Sequence, residues 1–135
     1  MNQAEQGLLS VMACVNKNMV LVEPDNAVRT ALKTLLQGLG WHVTALKTGQ
    51  RLDSVLAKSD ITAIISESSL PDQLATAVLE LGRAQEIPVI FLGHHQHVQD
   101  AVDLIKLGAR DYLEKPFPQT RLIRLLDTLH NSDRS

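Results

Sequence analysis

Lys115 stands directly before Pro116, and proline removes a backbone donor and restricts the residue preceding it, so the ammonium is aimed rather than scattered. Three carboxylates close short apolar runs upstream: Glu23 and Asp25 follow Met19-Val20-Leu21-Val22, and Glu67 follows Ile61-Thr62-Ala63-Ile64-Ile65. An ammonium facing carboxylates is a typical way to build a cation or phosphoryl site. Asp25 alone has two readings, since a helical pattern begins beside it and an aspartate there is also an ordinary helix cap. His94, His95 and His97 follow the run Pro88 to Leu92 with a spacing that matches no standard metal-ligand pattern, so a solvated turn is expected and no metal site is assigned.

Elements that would carry these residues alternate along the chain. Buried strands are expected at Met19–Val22, Ile61–Ile65, Pro88–Leu92 and Tyr112–Glu114, and a strand suited to a sheet edge at Trp41–Leu46. Between them lie amphipathic helices. The first carries Val28, Ala31, Leu32, Leu35, Leu36 and Leu39 and stops at Gly38 and Gly40; the second carries Leu52, Val55 and Leu56. A polar loop from Ser66 to Asp72, ending in a cap, leads to a third with Leu74, Ala77, Val78 and Leu81, terminated at Gly82. Gly93 is expected to end the fourth strand, and the fourth helix uses Val98, Ala101, Val102, Ile105 and Leu107 up to Gly108. Leu122, Ile123, Leu125, Leu126 and Leu129 give the last helix, with a polar tail from Asn131 to Ser135. Short apolar strands alternating with helices predict one α/β domain with a parallel sheet covered on both faces. In such sheets ligands gather beyond the carboxyl ends of the strands, where Glu23, Pro24, Asp25, Glu67, Gly93 and Lys115 all fall.

Bulk composition narrows the function classes. With 135 residues, 44% hydrophobic and 21% charged, the chain has the make-up of one globular domain. A net charge of -2 gives no basic stripe for nucleic acid or anionic membrane, and no run is long enough to span a bilayer. One cysteine, Cys14, cannot make an internal disulfide, which fits a reducing, cytoplasmic setting. Residues 7 to 14 lack the basic flank of an export signal, so 1–17 is read as a flexible extension, 18–130 as the domain and 131–135 as tail or linker. No glycine-rich phosphate loop follows the first strand, and no nucleophile, base and orienting group assemble from the strand ends. Neither a nucleotide site nor an enzyme is expected.

The acidic residues after the first strand, Glu67 followed four positions later by Pro71, and Gly108-Ala109-Arg110-Asp111-Tyr112-Leu113-Glu114-Lys115-Pro116-Phe117 together resemble the receiver domain of two-component response regulators over about residues 18 to 130. The resemblance implies a flavodoxin-like fold with strand order 2-1-3-4-5. It also implies an aspartate phosphoacceptor after the third strand, an acidic pair that holds magnesium, a Ser or Thr after the fourth strand and a switching aromatic in the fifth. Position by position, the phosphoacceptor equivalent is Glu67, the acidic-pocket equivalents are Glu23, Pro24 and Asp25, the switch equivalents are Gly93 and Tyr112, and the site lysine is Lys115.

Three of these depart from the pattern. Pro24 has no side-chain oxygen, Glu67 extends its carboxylate by one methylene, and Gly93 has no hydroxyl, so the link from the site to Tyr112 is expected to be cut. Magnesium demands near-octahedral oxygen geometry, and its binding is expected to be weak or absent. Together the three departures imply a pseudo-receiver: a protein-interaction module in which Glu67 pairs with Lys115, with no cofactor and no direct contact with DNA or membrane. It is expected to associate with itself or an output domain, with a histidine kinase as a further candidate partner, and to regulate transcription through an output domain outside this chain. Arg110, Asp111, Arg121 and Arg124 mark the expected interaction surface, made of the fourth helix, the fifth strand and the fifth helix. Two alternatives are a receiver phosphorylated at a non-standard acceptor and a small-molecule-binding regulatory module.

Overall fold

The computed structural model describes residues 17–94 and 98–132. The elements run β1 (Asn18–Val22), α1 (Asn26–Gly38), β2 (His42–Leu46), α2 (Leu52–Lys58), β3 (Ala63–Glu67), α3 (Ala75–Ala84), β4 (Val89–His94), α4 (Val98–Lys106), β5 (Asp111–Lys115) and α5 (Gln119–Ser132). All strand pairs are parallel and the sheet order is β2-β1-β3-β4-β5, with β2 at one edge as its alternating pattern predicts.

The pleat sends alternate residues of each strand to opposite faces, and two cores result. Val20, Val22, Ile64, Val89, Phe91 and Tyr112 pack with Leu52, Leu56, Val78, Leu79 and Leu104, which places α2, α3 and α4 on one face. Met19, Leu21, Ile65, Ile90, Leu92 and Leu113 pack with Leu32, Leu36, Leu122, Leu126 and Leu129, which places α1 and α5 on the other. Strands β1, β3 and β4 are buried on both sides, and this is why they read as unbroken apolar runs.

Several boundaries differ from the sequence expectation. β3 begins at Ala63 and includes Ser66 and Glu67, both buried, where the composition predicts a polar loop. β4 does not end at Gly93 but continues to His94, which pairs with Lys115. α3 starts after Leu74, not at Asp72, and runs past Gly82 to Ala84. Gly82 is a packing glycine: a β-carbon there would lie 3.1 Å from Ile87 O and would collide with Val89. Among the described side chains of α4 the buried one is Leu104, absent from the expected apolar set, whereas Val102 and Ile105, with Leu107 just past the helix end, are more than 40% exposed. α5 extends to Ser132, into the expected tail. His94 is exposed at the end of β4; His95, His97 and the expected extension up to residue 16 lie outside the described residues.

Candidate functional site

The carboxyl ends of β1, β3 and β5 deliver one cluster. Glu23 follows β1 and its backbone nitrogen donates to Leu46 O at 2.9 Å; Glu67 is the last residue of β3 and Lys115 the last of β5. Lys115 stands two strands from Glu67, roughly 10 Å away at the usual strand spacing. With β4 between them, the Lys115 and Glu67 side chains together bridge that distance.

Lys115 Nζ lies 2.5 Å from Glu23 Oε1 and 2.6 Å from Glu67 Oε2. The Glu23 contact is a directed hydrogen bond, while the Glu67 contact is an ion pair without hydrogen-bond geometry, since Glu67 Oε2 makes no directed bond. The side chains are 15% exposed for Lys115, 2% for Glu23 and 7% for Glu67, so the three charges are shielded from bulk water. Burial by itself lowers the lysine pKa, but the Glu23 hydrogen bond and the close negative charges of Glu67 and Glu23 outweigh it and leave the group above its ordinary value.

The neighbouring residues brace this cluster. Glu23 Oε2 accepts from the Asp25 backbone nitrogen at 3.1 Å, and Arg29 Nη1 donates to Glu23 O at 2.9 Å. Asp25 caps α1 by accepting from Val28 N at 3.0 Å, so of its two readings the capping one is realised. Pro24 lies half-buried between them with no donor atom to offer.

The carboxylates at the rim are already partnered. The side-chain oxygens that approach one another belong to Glu23 and Glu67, and both carboxylates are engaged by the same ammonium. Among the described residues, no group of three His, Cys, Asp or Glu side chains is placed to hold a metal ion.

Tyr112 is buried in β5, and its hydroxyl lies 3.0 Å from Ser68 Oγ, one residue beyond Glu67. Gly93 supplies no hydroxyl, and the one that Tyr112 meets is that of Ser68. Burial raises the tyrosine pKa, the Ser68 bond opposes this, and the Glu67 charge adds to the rise. Sequence reasoning missed Glu23 as the second partner of Lys115 and Ser68 as the partner of Tyr112. Adjacency of Ser68 to Glu67 was the available signal; the Glu23 contact depends on side-chain reach across three strands.

On the expected interaction surface, Asp111 and Arg121 approach to 3.9 Å, and Arg110 and Arg124 are exposed beside them. Two surface grooves, about 590 and 400 Å³, lie along α2–α3 and between α3 and α4, and neither is lined by Glu23, Glu67 or Lys115.

Known proteins resemble this chain in sequence and in fold. The transcriptional regulatory protein FixJ of Bradyrhizobium diazoefficiens is 29% identical over 82% of this chain and 55% of its own length. The KDP operon transcriptional regulatory protein KdpE of Escherichia coli K12 is 35% identical over 74% of this chain and 45% of its own length. The chain thus spans about half the length of these curated relatives. Full-length FixJ from B. japonicum superposes with a TM-score of 0.76 at 29% identity, covering 83% of this chain and 56% of that one. The beryllofluoride-activated NtrC4 receiver domain dimer superposes at 0.79 and 23% identity, covering 86% and 98%, and shows the fold alone. The family model for the response regulator receiver domain matches residues 19–127, from the first residues of β1 into α5, and the chain belongs to that family.

Proposed function

We propose that this chain is a pseudo-receiver, a signalling module that acts through protein association and not through conventional aspartyl phosphorylation. The observation that carries the reading is the Lys115 ammonium held at 2.5 and 2.6 Å between Glu23 and Glu67. The lysine that would answer an incoming phosphoryl group is already answered by two fixed carboxylates. Glu67 also stands one methylene further out than an aspartate, which spoils the in-line geometry of phosphoryl transfer, and Pro24 removes a metal ligand. Magnesium binding is accordingly weak or absent in this reading, no other cofactor is used, and the domain has no enzymatic activity of its own.

The association face is the one formed by α4, β5 and α5. Val102 and Ile105 are 41% and 43% exposed there, and Arg110, Asp111, Arg121 and Arg124 add charge of both signs. A second copy of the chain, an output domain or a histidine kinase would use it. FixJ and KdpE are named as transcriptional regulators, which supports a role in transcription through a separate output domain in the cytoplasm.

Incubation with acetyl phosphate and magnesium, followed by intact-mass measurement, tests the central point. No stable mass increase is expected. Stoichiometric phosphorylation would overturn the reading and favour a receiver with a non-standard acceptor.

A further inference from the structure

Glycine at position 93 is not required by the backbone: its φ lies outside the left-handed region that Gly40 and Gly108 occupy. What requires it is space. A β-carbon on Gly93 would lie 2.6 Å from Ser68 Oγ and 2.7 Å from Tyr112 Cζ, and would overlap the Tyr112 hydroxyl outright. The hydroxyl therefore sits where the side chain of residue 93 would be, bonded to Ser68 Oγ at 3.0 Å. Beneath α4 the ring belongs to the cluster that holds Leu104 and Ala109, with Ala101 packed against it.

We propose that Gly93 and Ser68 are positioning residues that seat Tyr112 inward permanently, fixing the junction between β5 and α4 without a phosphoryl group. The proposal deepens the pseudo-receiver reading and rests on it for its functional meaning. Gly93 supplies the shape of the seat and Ser68 its polar contact. The strand end that carries Glu67 is thereby joined to the face where α4 is exposed, through the hydroxyl of the next residue. A hydroxyl-bearing side chain at 93 would compete for the same space, so Gly93 and the inward tyrosine belong together.

Tyr112 is the only tyrosine of the chain, so its ring can be followed without ambiguity. The experiment uses the full chain with a labelled tyrosine ring, as wild type, Gly93→Ala and Ser68→Ala. Nuclear Overhauser contacts are measured at neutral pH and the phenol is titrated by ultraviolet absorbance. Glu67, Asp100 and Glu114 are the charged groups acting on the phenol, and all three are left in place.

In the wild type, contacts from the ring to Ser68 and Gly93 are expected, with titration above the ordinary value of 10.0. Gly93→Ala is expected to lose the Ser68 contact and to titrate lower, because the ring leaves its buried seat. Ser68→Ala is expected to keep the Gly93 contact and to titrate higher, because a bond favouring the ionised phenol is lost while burial remains. Shifts of opposite sign are the signature. A Gly93→Ala ring that keeps its Ser68 contact and wild-type titration would overturn the proposal. If Gly93→Ala does not fold, an unchanged titration in Ser68→Ala would overturn it equally, because Ser68 would then not hold the hydroxyl. Repeating the wild-type spectrum with acetyl phosphate and magnesium separates the two ideas. A phosphorylated domain with an unmoved ring defeats the pseudo-receiver reading alone, whereas a ring that moves only on phosphorylation defeats the permanent seat as well.

Discussion

At the scale of single residues, Lys115 decides what the rim of the sheet can do. Two buried carboxylates share its ammonium, and removing that ammonium leaves them facing each other across a shielded gap. Breaking a buried pair by deleting one partner costs about 3 kcal/mol or more, and Lys115→Met is expected to destabilise by about 3 kcal/mol at neutral pH. The pH dependence has a definite sign. Because the folded pKa of Lys115 is raised, its stabilisation is fully present below the ordinary lysine value of 10.5 and fades as pH rises through the folded value. Urea unfolding of wild type and variant should show a gap that is constant near neutrality and narrows above pH 10.5. A gap independent of pH would show that the loss comes from packing of the lysine stem and not from its charge.

At the scale of elements, α3 exposes a weak point that the sequence disguises. Leu74 continues the apolar spacing of the helix and reads as one of its core residues, yet it is the N-cap, is 75% exposed and makes no side-chain capping bond. Asp72, the expected cap, instead accepts from Gly49 N at 3.3 Å. A serine at the cap would accept from an orphan backbone N–H at the start of α3, so Leu74→Ser is expected to stabilise the domain by about 1 kcal/mol. The midpoint of urea unfolding checks this, and a lowered midpoint would mean that Leu74 packs more than its exposure indicates. The same element shows why boundaries are harder to read than identities. Gly82 looks like a terminator but serves close helix–strand packing against Val89, and Gly93 looks like a strand end but leaves room for Tyr112. A glycine demanded by a neighbour's volume cannot be told from one demanded by its own dihedrals without the neighbour in view.

At the scale of the whole molecule, the alternation of five apolar strands with five helices was enough to give a parallel sheet and the rim where Glu23, Glu67 and Lys115 converge, because burial on both faces leaves a clear sequence pattern, whereas the strand order came from the family resemblance. The outward faces left no such pattern. Val102, Ile105 and Leu107 read as core, and at 3.6 residues per turn Val102 and Ile105 share the side of α4 away from α3, while Leu107 shares the α3 side with Asp100 and Asp103. Only the packing of Leu104 inward shows that the first pair faces out. If that pair forms the centre of a self-association face, placing a charge there desolvates it without a partner. Ile105→Glu is then expected to raise the dimer dissociation constant at least tenfold, about 1.4 kcal/mol, in sedimentation velocity across a concentration series. Arg121→Asp, which sets like charges at the Asp111 contact, should weaken the dimer less, because that pair is exposed and screened by salt. Glu67→Gln in the same series asks whether the buried charge reaches this face: an unchanged dimer confines Glu67 to neutralising Lys115, and a shifted one makes its carboxylate part of the output. A wild-type chain that stays monomeric at every concentration would remove self-association from this face and leave it to a partner of different sequence.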